Sequence, residues 1–153
     1  EDDEVHPLRG VLRVDRFHVF EDGLRHICDS RRVVPDLIKN RQQFGRAIGE
    51  FQVVQHRMTD MLMETEQARS MAQIAAMTLD RDDDARAREL AGVKARLGKA
   101  GRFVGQESIQ LHGGMGMTDE MTIGHYFKRL TMIDRTFGDT DHCMRRYADT
   151  LGD

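Results

Sequence analysis

Two stretches of the chain combine residue types that could hold an anionic ligand. The first is Gln110-Leu111-His112-Gly113-Gly114-Met115-Gly116-Met117-Thr118, in which three glycines fall within four residues. Without a Cβ the backbone approaches a ligand closely, and consecutive amides offer N–H donors to a phosphate or pyrophosphate. The spacing fits neither a phosphate loop of the Walker type nor a dinucleotide-binding glycine turn, and a plain helix stop uses the same residues. The second stretch, Arg41-Gln42-Gln43-Phe44-Gly45-Arg46-Ala47-Ile48-Gly49, sets a guanidinium and an aromatic ring beside a glycine. Arginine pairs bidentately with phosphate and phenylalanine packs on a ring system. The plain alternative is a connector between helices with ordinary surface charges.

Other chemistries find less support. Cys28 and Cys143 have no CxxC partner and the seven histidines show no HxxxH spacing, so no metal site is expected. His56, His112, His125 and His142 are scattered singly, and no Ser/His/Asp motif is visible. The net charge of -3 is spread over interleaved acidic and basic residues, which argues against nucleic-acid binding. No run approaches the ~18 apolar residues of a membrane span. Two thiols and no hydrophobic signal segment at the start suggest a cytoplasmic protein without a disulfide framework.

The elements that must position these stretches are helical. From Phe51, the residues Val54, Met58, Met61, Thr65, Ala68, Ala72, Ala75 and Leu79 follow at steps of three and four, which predicts one long amphipathic helix. Asp80-Arg81-Asp82-Asp83-Asp84 breaks the pattern and supplies carboxylates for the start of the next helix. Leu90, Val93, Leu97, Ala100, Val104, Ser108 and Leu111 repeat the spacing, with Arg86, Arg88, Lys94, Arg96, Lys99 and Arg102 expected on the outer surface. This second helix runs antiparallel to the first and ends at Gly113-Gly114. Thr118-Asp119-Glu120 predicts a further helix start leading to Tyr126, Phe127, Leu130 and Ile133, and Asp139 or Thr140 caps a last short helix. Pro35 predicts a helix start near residue 36, running to about 43. Residues 1–36 show no clear period, with at most one short strand or helical turn in 11–19. The methionine-rich face, including Met58, Met61, Met71 and Met77, reads as core and interface packing. The fold expected is all-α, an up-and-down helical bundle.

In order and spacing, these stretches resemble the C-terminal helical domain of the acyl-CoA dehydrogenases. The resemblance runs from about residue 40 to residue 151. It is carried by Arg41-Gln42-Gln43-Phe44-Gly45, Phe51-Gln52-Val53-Val54-Gln55-His56-Arg57-Met58, Ala68-Arg69 and Gln110-Leu111-His112-Gly113-Gly114-Met115-Gly116. Within the family, Gly124-His125-Tyr126-Phe127-Lys128-Arg129-Leu130 followed by Phe137-Gly138-Asp139 is most similar to the small subunits of pimeloyl-CoA-type dehydrogenases. The resemblance implies a bundle at 37–151, preceded by a leader at 1–36 that does not match the family. It implies a flavoenzyme that desaturates an acyl-CoA between Cα and Cβ, with FAD as cofactor and an acyl-CoA as substrate. A homo- or hetero-oligomer of dehydrogenase subunits and an electron-transfer partner are further implications. Arg41, Gln43, Phe44, Gln110, Gly113 and Gly114, and also Gln52, are the positions it assigns to the FAD of a neighbouring subunit.

One departure matters for chemistry. The family's usual base is a glutamate followed by glycine, and the corresponding position here is Phe137, which cannot accept a proton. Asp134 and Asp139 lie nearby in sequence but read as a helix cap or solvent-facing charges. Some family members place the base on an earlier helix, in the region of 1–36. The family's N-terminal helical and middle β domains have no room in 153 residues. The expectation is therefore an incomplete dehydrogenase, inactive alone. The alternative is a non-catalytic helical subunit that scaffolds an oligomer.

Overall fold

The computed structural model describes residues 7–79, 81 and 84–151 and, among these, the side chains of all but residues 7–17 and 84. Asp80, Asp82 and Asp83 of the expected acidic helix start lie outside the described residues.

Among the described residues, six helices make up the bundle: α1 (Pro7–Arg32), α2 (Val34–Asn40), α3 (Gln52–Thr78), α4 (Asp84–His112), α5 (Thr122–Arg135) and α6 (Thr140–Asp149). Two short strands, β1 (Gln42–Gln43) and β2 (Arg46–Ala47), pair antiparallel between α2 and α3. Helix α4 is the hub, packing against α1, α3, α5 and α6. Its seam is the one the spacing predicts: Val93, Leu97, Ala100, Val104, Ser108 and Leu111 are all buried. Val54, Met61, Ala68 and Ala75 of α3 complete the facing layer. Each fully buried Val, Ile or Met there contributes about 1.5–3 kcal/mol. Thr65, the polar residue in the α3 seam, is satisfied because its hydroxyl donates to the Met61 carbonyl at 2.7 Å. Ion pairs hold α3 and α4 in register, Arg57 with Glu107 and Glu64 with Arg96, both at 2.6 Å.

The structure corrects the reading of the first third. Residues 7–32 form a 26-residue helix where a short strand or turn was expected. Its buried face is Phe20, Ile27 and, after a break, Val34, with the buried Ser30 and the small Gly23 between them. A Cβ on Gly23 would lie 3.4 Å from Ile133, so the small residue sets how closely α1 lies on α5. Half of the stripe is therefore not hydrophobic, although its spacing is helical. Because α1 packs on α3, α4 and α5, residues 7–32 are part of the bundle. Pro35 marks a helix start as predicted, falling in the first turn of α2.

Three local expectations are revised as well. Lys94 is buried, not on the outer surface, and Asp134 is buried too, not solvent-facing. Thr118 does not cap α5; its hydroxyl donates to the Met115 carbonyl, closing the 3-10 turn at Gly113–Met117, and α5 starts after Met121 without a side-chain cap. Asp139 does cap α6, accepting from the His142 N–H at 2.8 Å.

Candidate functional site

The two stretches singled out from the sequence meet at one end of the bundle. Arg41 follows α2, and its Nη1 donates to the carbonyl of His112, the last residue of α4, at 2.6 Å. A cation at a helix C-terminus faces the negative end of the dipole and an unsatisfied carbonyl, so the contact is favourable on both counts. Gly113 continues the chain at φ +63°, and a Cβ there would sit 3.3 Å from both Nη atoms of Arg41. Glycine thus serves two needs at this position, the left-handed backbone and the room for a guanidinium. Gly114 has nothing within 4 Å of the place its Cβ would occupy. With Arg41, Asp36, Leu37, Asn40 and Met115 it lines an open groove. His112 itself is buried, and its Nδ1 donates to the Ser108 carbonyl at 2.7 Å, fixing the last turn of α4.

Next to this corner, β1 and β2 present Phe44. Gln43 pairs with Arg46 across a two-residue turn in which Phe44 (φ 54°) and Gly45 (φ 80°) are both left-handed. That is the type I′ geometry, which suits the strand twist but costs a phenylalanine on the order of 1 kcal/mol. The Phe44 side chain is 92% exposed and gains no core burial in return. Its ring meets Phe51 edge-on, with centroids 6.2 Å apart, and the Arg46 guanidinium lies over the Phe51 ring, 4.0 Å from its centroid. Phe44 is thus a strained, exposed aromatic held on a braced hairpin.

Of the seven positions marked by resemblance, the structure brings Arg41, Gly113 and Gly114 together and sets Phe44 and Gln43 on the adjoining hairpin. Gln43 and Gln52 are exposed, the latter as the first residue of α3, and Gln110 is exposed on the last turns of α4.

A second group of residues surrounds the α5–α6 turn. Phe137 is left-handed at φ 61°, Gly138 follows at φ 102°, and Phe137 is half exposed. Lys94 Nζ donates to the Asp134 carbonyl at 2.8 Å and to the Gly138 carbonyl at 3.2 Å. Burial pushes its ammonium pKa down, opposed by the charges of Asp134, Cys143 and Asp139. The Asp134 carboxylate accepts from Thr140 Oγ1 at 2.7 Å and from Arg102 at 3.2 Å. The His142 N–H holds the Asp139 carboxyl below the ordinary carboxylate range. Both acids near Phe137 are thus committed, one to a buried network and one to a cap, and neither replaces a missing base. Reasoning from the sequence missed Lys94 and Asp134. The signal was present: Lys94, Gly98, Gly101 and Gly105 form a second stripe on α4, and Gly98 lies against Asp134 and Thr140.

Among the described residues, no group of His, Cys, Asp and Glu is placed to hold a metal, and no helix is long and apolar enough to cross a membrane.

Comparison with known proteins agrees with this architecture. Residues 9–151 match the family model of the acyl-CoA dehydrogenase C-terminal domain, and the chain belongs to that family. The match runs through residue 36, so the boundary expected there between a foreign leader and the bundle falls inside the family domain. The chain is 35% identical over 108 residues to the acyl-CoA dehydrogenase IpdE2 of Mycolicibacterium smegmatis, covering 71% of this chain and 33% of that protein. It is 38% identical over 124 residues to an L-prolyl-peptidyl-carrier-protein dehydrogenase of a Serratia species, covering 80% of this chain and 31% of that one. Among solved structures, the FAD complex of PigA superposes with a TM-score of 0.76 at 28% identity, covering 85% of this chain and 34% of that one. The chain spans about a third of the length of each of these relatives.

Proposed function

We propose that this bundle is the C-terminal part of a flavin-dependent acyl-CoA dehydrogenase that closes the FAD site of a neighbouring subunit. The observation that carries the reading is the Arg41 to His112 bond. It joins residues 71 positions apart and sets a guanidinium beside the open backbone of Gly114. Arg41 and the amides of Gly113 and Gly114 would hold the pyrophosphate, Gln110 and Gln43 would donate to its oxygens, and Phe44 would cover a ring, with Gln52 at the margin. The groove fits such a group, since Arg41 keeps donors beyond the one spent on His112 and no side chain grows from Gly114. FAD, when bound, accepts hydride from the acyl Cβ while a protein carboxylate takes the Cα proton. An acyl-CoA substrate, an oligomer of dehydrogenase subunits and an electron-transfer partner belong to the same reading.

The carboxylate is assigned to α1. His26 meets the Tyr126 ring at 5.8 Å and Asp22 the Arg129 guanidinium at 2.6 Å, so α1 and α5 run antiparallel. Val19 and Gly23 then share a small cavity with Ile133 and Asp134. One turn further along α1 from Val19 is residue 15, an aspartate, on the side of the C-terminal end of α5, which closes at Arg135.

The test is an FAD titration, followed by flavin fluorescence, of the chain assembled with a dehydrogenase subunit that supplies the other domains. Arg41→Ala removes a charge-assisted contact of about 1.5–3 kcal/mol, so FAD is expected to bind roughly 10- to 100-fold more weakly. Coenzyme A in the same titration separates the two pyrophosphate carriers, and an unchanged FAD affinity in Arg41→Ala refutes the site. In the same assembly Asp15→Asn is expected to slow acyl-CoA reduction of the flavin by about 100-fold or more while FAD stays bound. A second reading, a non-catalytic scaffold subunit, is favoured by Phe137 at the usual base position. It predicts no difference in turnover between wild type and Asp15→Asn.

A further inference from the structure

We infer that Lys94 is a positioning residue that holds the α5–α6 turn in the conformation that presents residue 137. The turn is tied at its ends by the Gly138 N–H on the Arg135 carbonyl at 3.4 Å and by the Thr140 hydroxyl on the Asp134 carboxylate at 2.7 Å. Phe137 and Gly138 are both left-handed, and for phenylalanine that conformation is unfavourable, so the surroundings must impose it. Lys94 comes from the middle of α4 and reaches carbonyls on both sides of Phe137, those of Asp134 and Gly138. The Gly138 carbonyl also accepts from the Cys143 thiol at 3.7 Å. A single ammonium, able to donate to several carbonyls at once, thus bridges the end of α5 and the left-handed glycine. Burying a lysine is costly, and this one is 6% exposed with, among the described residues, no carboxylate hydrogen-bonded to it. An apolar side chain at that seam position would pack without the desolvation cost, so stability of the core alone does not account for a lysine here.

The inference concerns how residue 137 is aimed. Its bearing on catalysis rests on the proposed dehydrogenase reading, but its test reads the turn itself, so the two can fail separately. In the isotope-labelled full chain, Phe44 and Phe137 should both give the strong intraresidue amide-to-Hα cross-peak of a positive φ, their angles being 54° and 61°. Lys94→Met is expected to erase or average the Phe137 signal and to leave that of Phe44, at the far hairpin, as an internal control for folding. An unchanged Phe137 signal in Lys94→Met overturns the inference. Should Lys94→Met lose both signals by failing to fold, the wild-type chain still decides. Its Lys94 ammonium protons are expected to exchange with water at least tenfold more slowly than those of the exposed Lys128, and equal exchange overturns the inference.

Discussion

Gly98→Ala tests the packing of the second face of α4 more sharply than any other single change. An ideal Cβ at Gly98 would lie 2.2 Å from Asp134 Oδ1 and 2.2 Å from Thr140 Oγ1, distances no real Cβ tolerates. These two oxygens are bonded to each other at 2.7 Å, and Asp134 is 8% exposed. Both side chains are short, so making room means rotating one or both and breaking their bond. Overpacking costs about 1–3 kcal/mol, and leaving a buried carboxylate short of a donor costs about 1–3 kcal/mol more. Alanine returns about 1 kcal/mol as a better helix former. The net expectation is a loss of about 1–5 kcal/mol, a fall in Tm of roughly 2–20 °C for a domain of this size. Urea unfolding followed by circular dichroism measures the loss directly. Two controls sharpen the result: Gly114→Ala, with nothing near its Cβ, should change stability by no more than ~0.5 kcal/mol. In a Thr140→Ala background the Gly98→Ala penalty should shrink, since one of the two colliding oxygens is gone. A Gly98→Ala chain as stable as wild type would refute this account of the α4–α5–α6 contact.

Gly113→Ala forces a side chain onto a left-handed backbone and against Arg41, so it should cost about 1–2 kcal/mol in unfolding and lower FAD affinity in the assembled enzyme. The Asp139 carboxyl is held low mainly by the His142 N–H, so its stabilisation is complete above the unfolded aspartate value and is lost as pH falls through its folded one. Asp139→Ala should therefore flatten the acid side of the stability curve below about pH 4 and leave the neutral-to-alkaline shape unchanged, as pH-dependent melts would show. Burial pushes the Cys143 thiol up and leaves it 5% exposed, whereas Cys28 is half-buried. A thiol reagent at pH 8 should label Cys28 first, and equal rates would contradict the burial of Cys143.

The two central helices were legible because each carries one stripe of apolar residues at helical spacing, from Val54 to Ala75 and from Val93 to Leu111. Periodicity reports a single buried face well. Helix α1 was not legible because its inward positions include Gly23 and Ser30, small residues whose value lies in how closely a neighbour approaches and which add nothing to a hydrophobic period. Lys94 was misplaced for a related reason. A lysine between Val93 and Leu97 looks like outer surface until α5 and α6 are known to cover that face, and its partners are carbonyls 40 and 44 residues away. The site was legible in its residue types, since arginine and glycine were singled out for their chemistry. Their contact was not, because only the tertiary fold brings Arg41 to the end of α4. The strain at Phe44 and Phe137 is equally invisible in sequence, although each precedes a left-handed glycine.

The ion pairs that fix α3 against α4 also bear on the order of assembly. Those helices are neighbours in the chain, and their contacts close comparatively short loops, Glu64 to Arg96 across 32 positions and Arg57 to Glu107 across 50. By contrast, α1 reaches α5 through Asp22 and Arg129, 107 positions apart, a loop whose closure costs about 1 kcal/mol more than the 32-residue one. The α3–α4 hairpin is therefore the natural nucleus, and α1 docks late, onto a surface already made. Changes on the inward face of α1 should therefore speed unfolding more than they slow folding, and that helix should be the first to part as the bundle loosens.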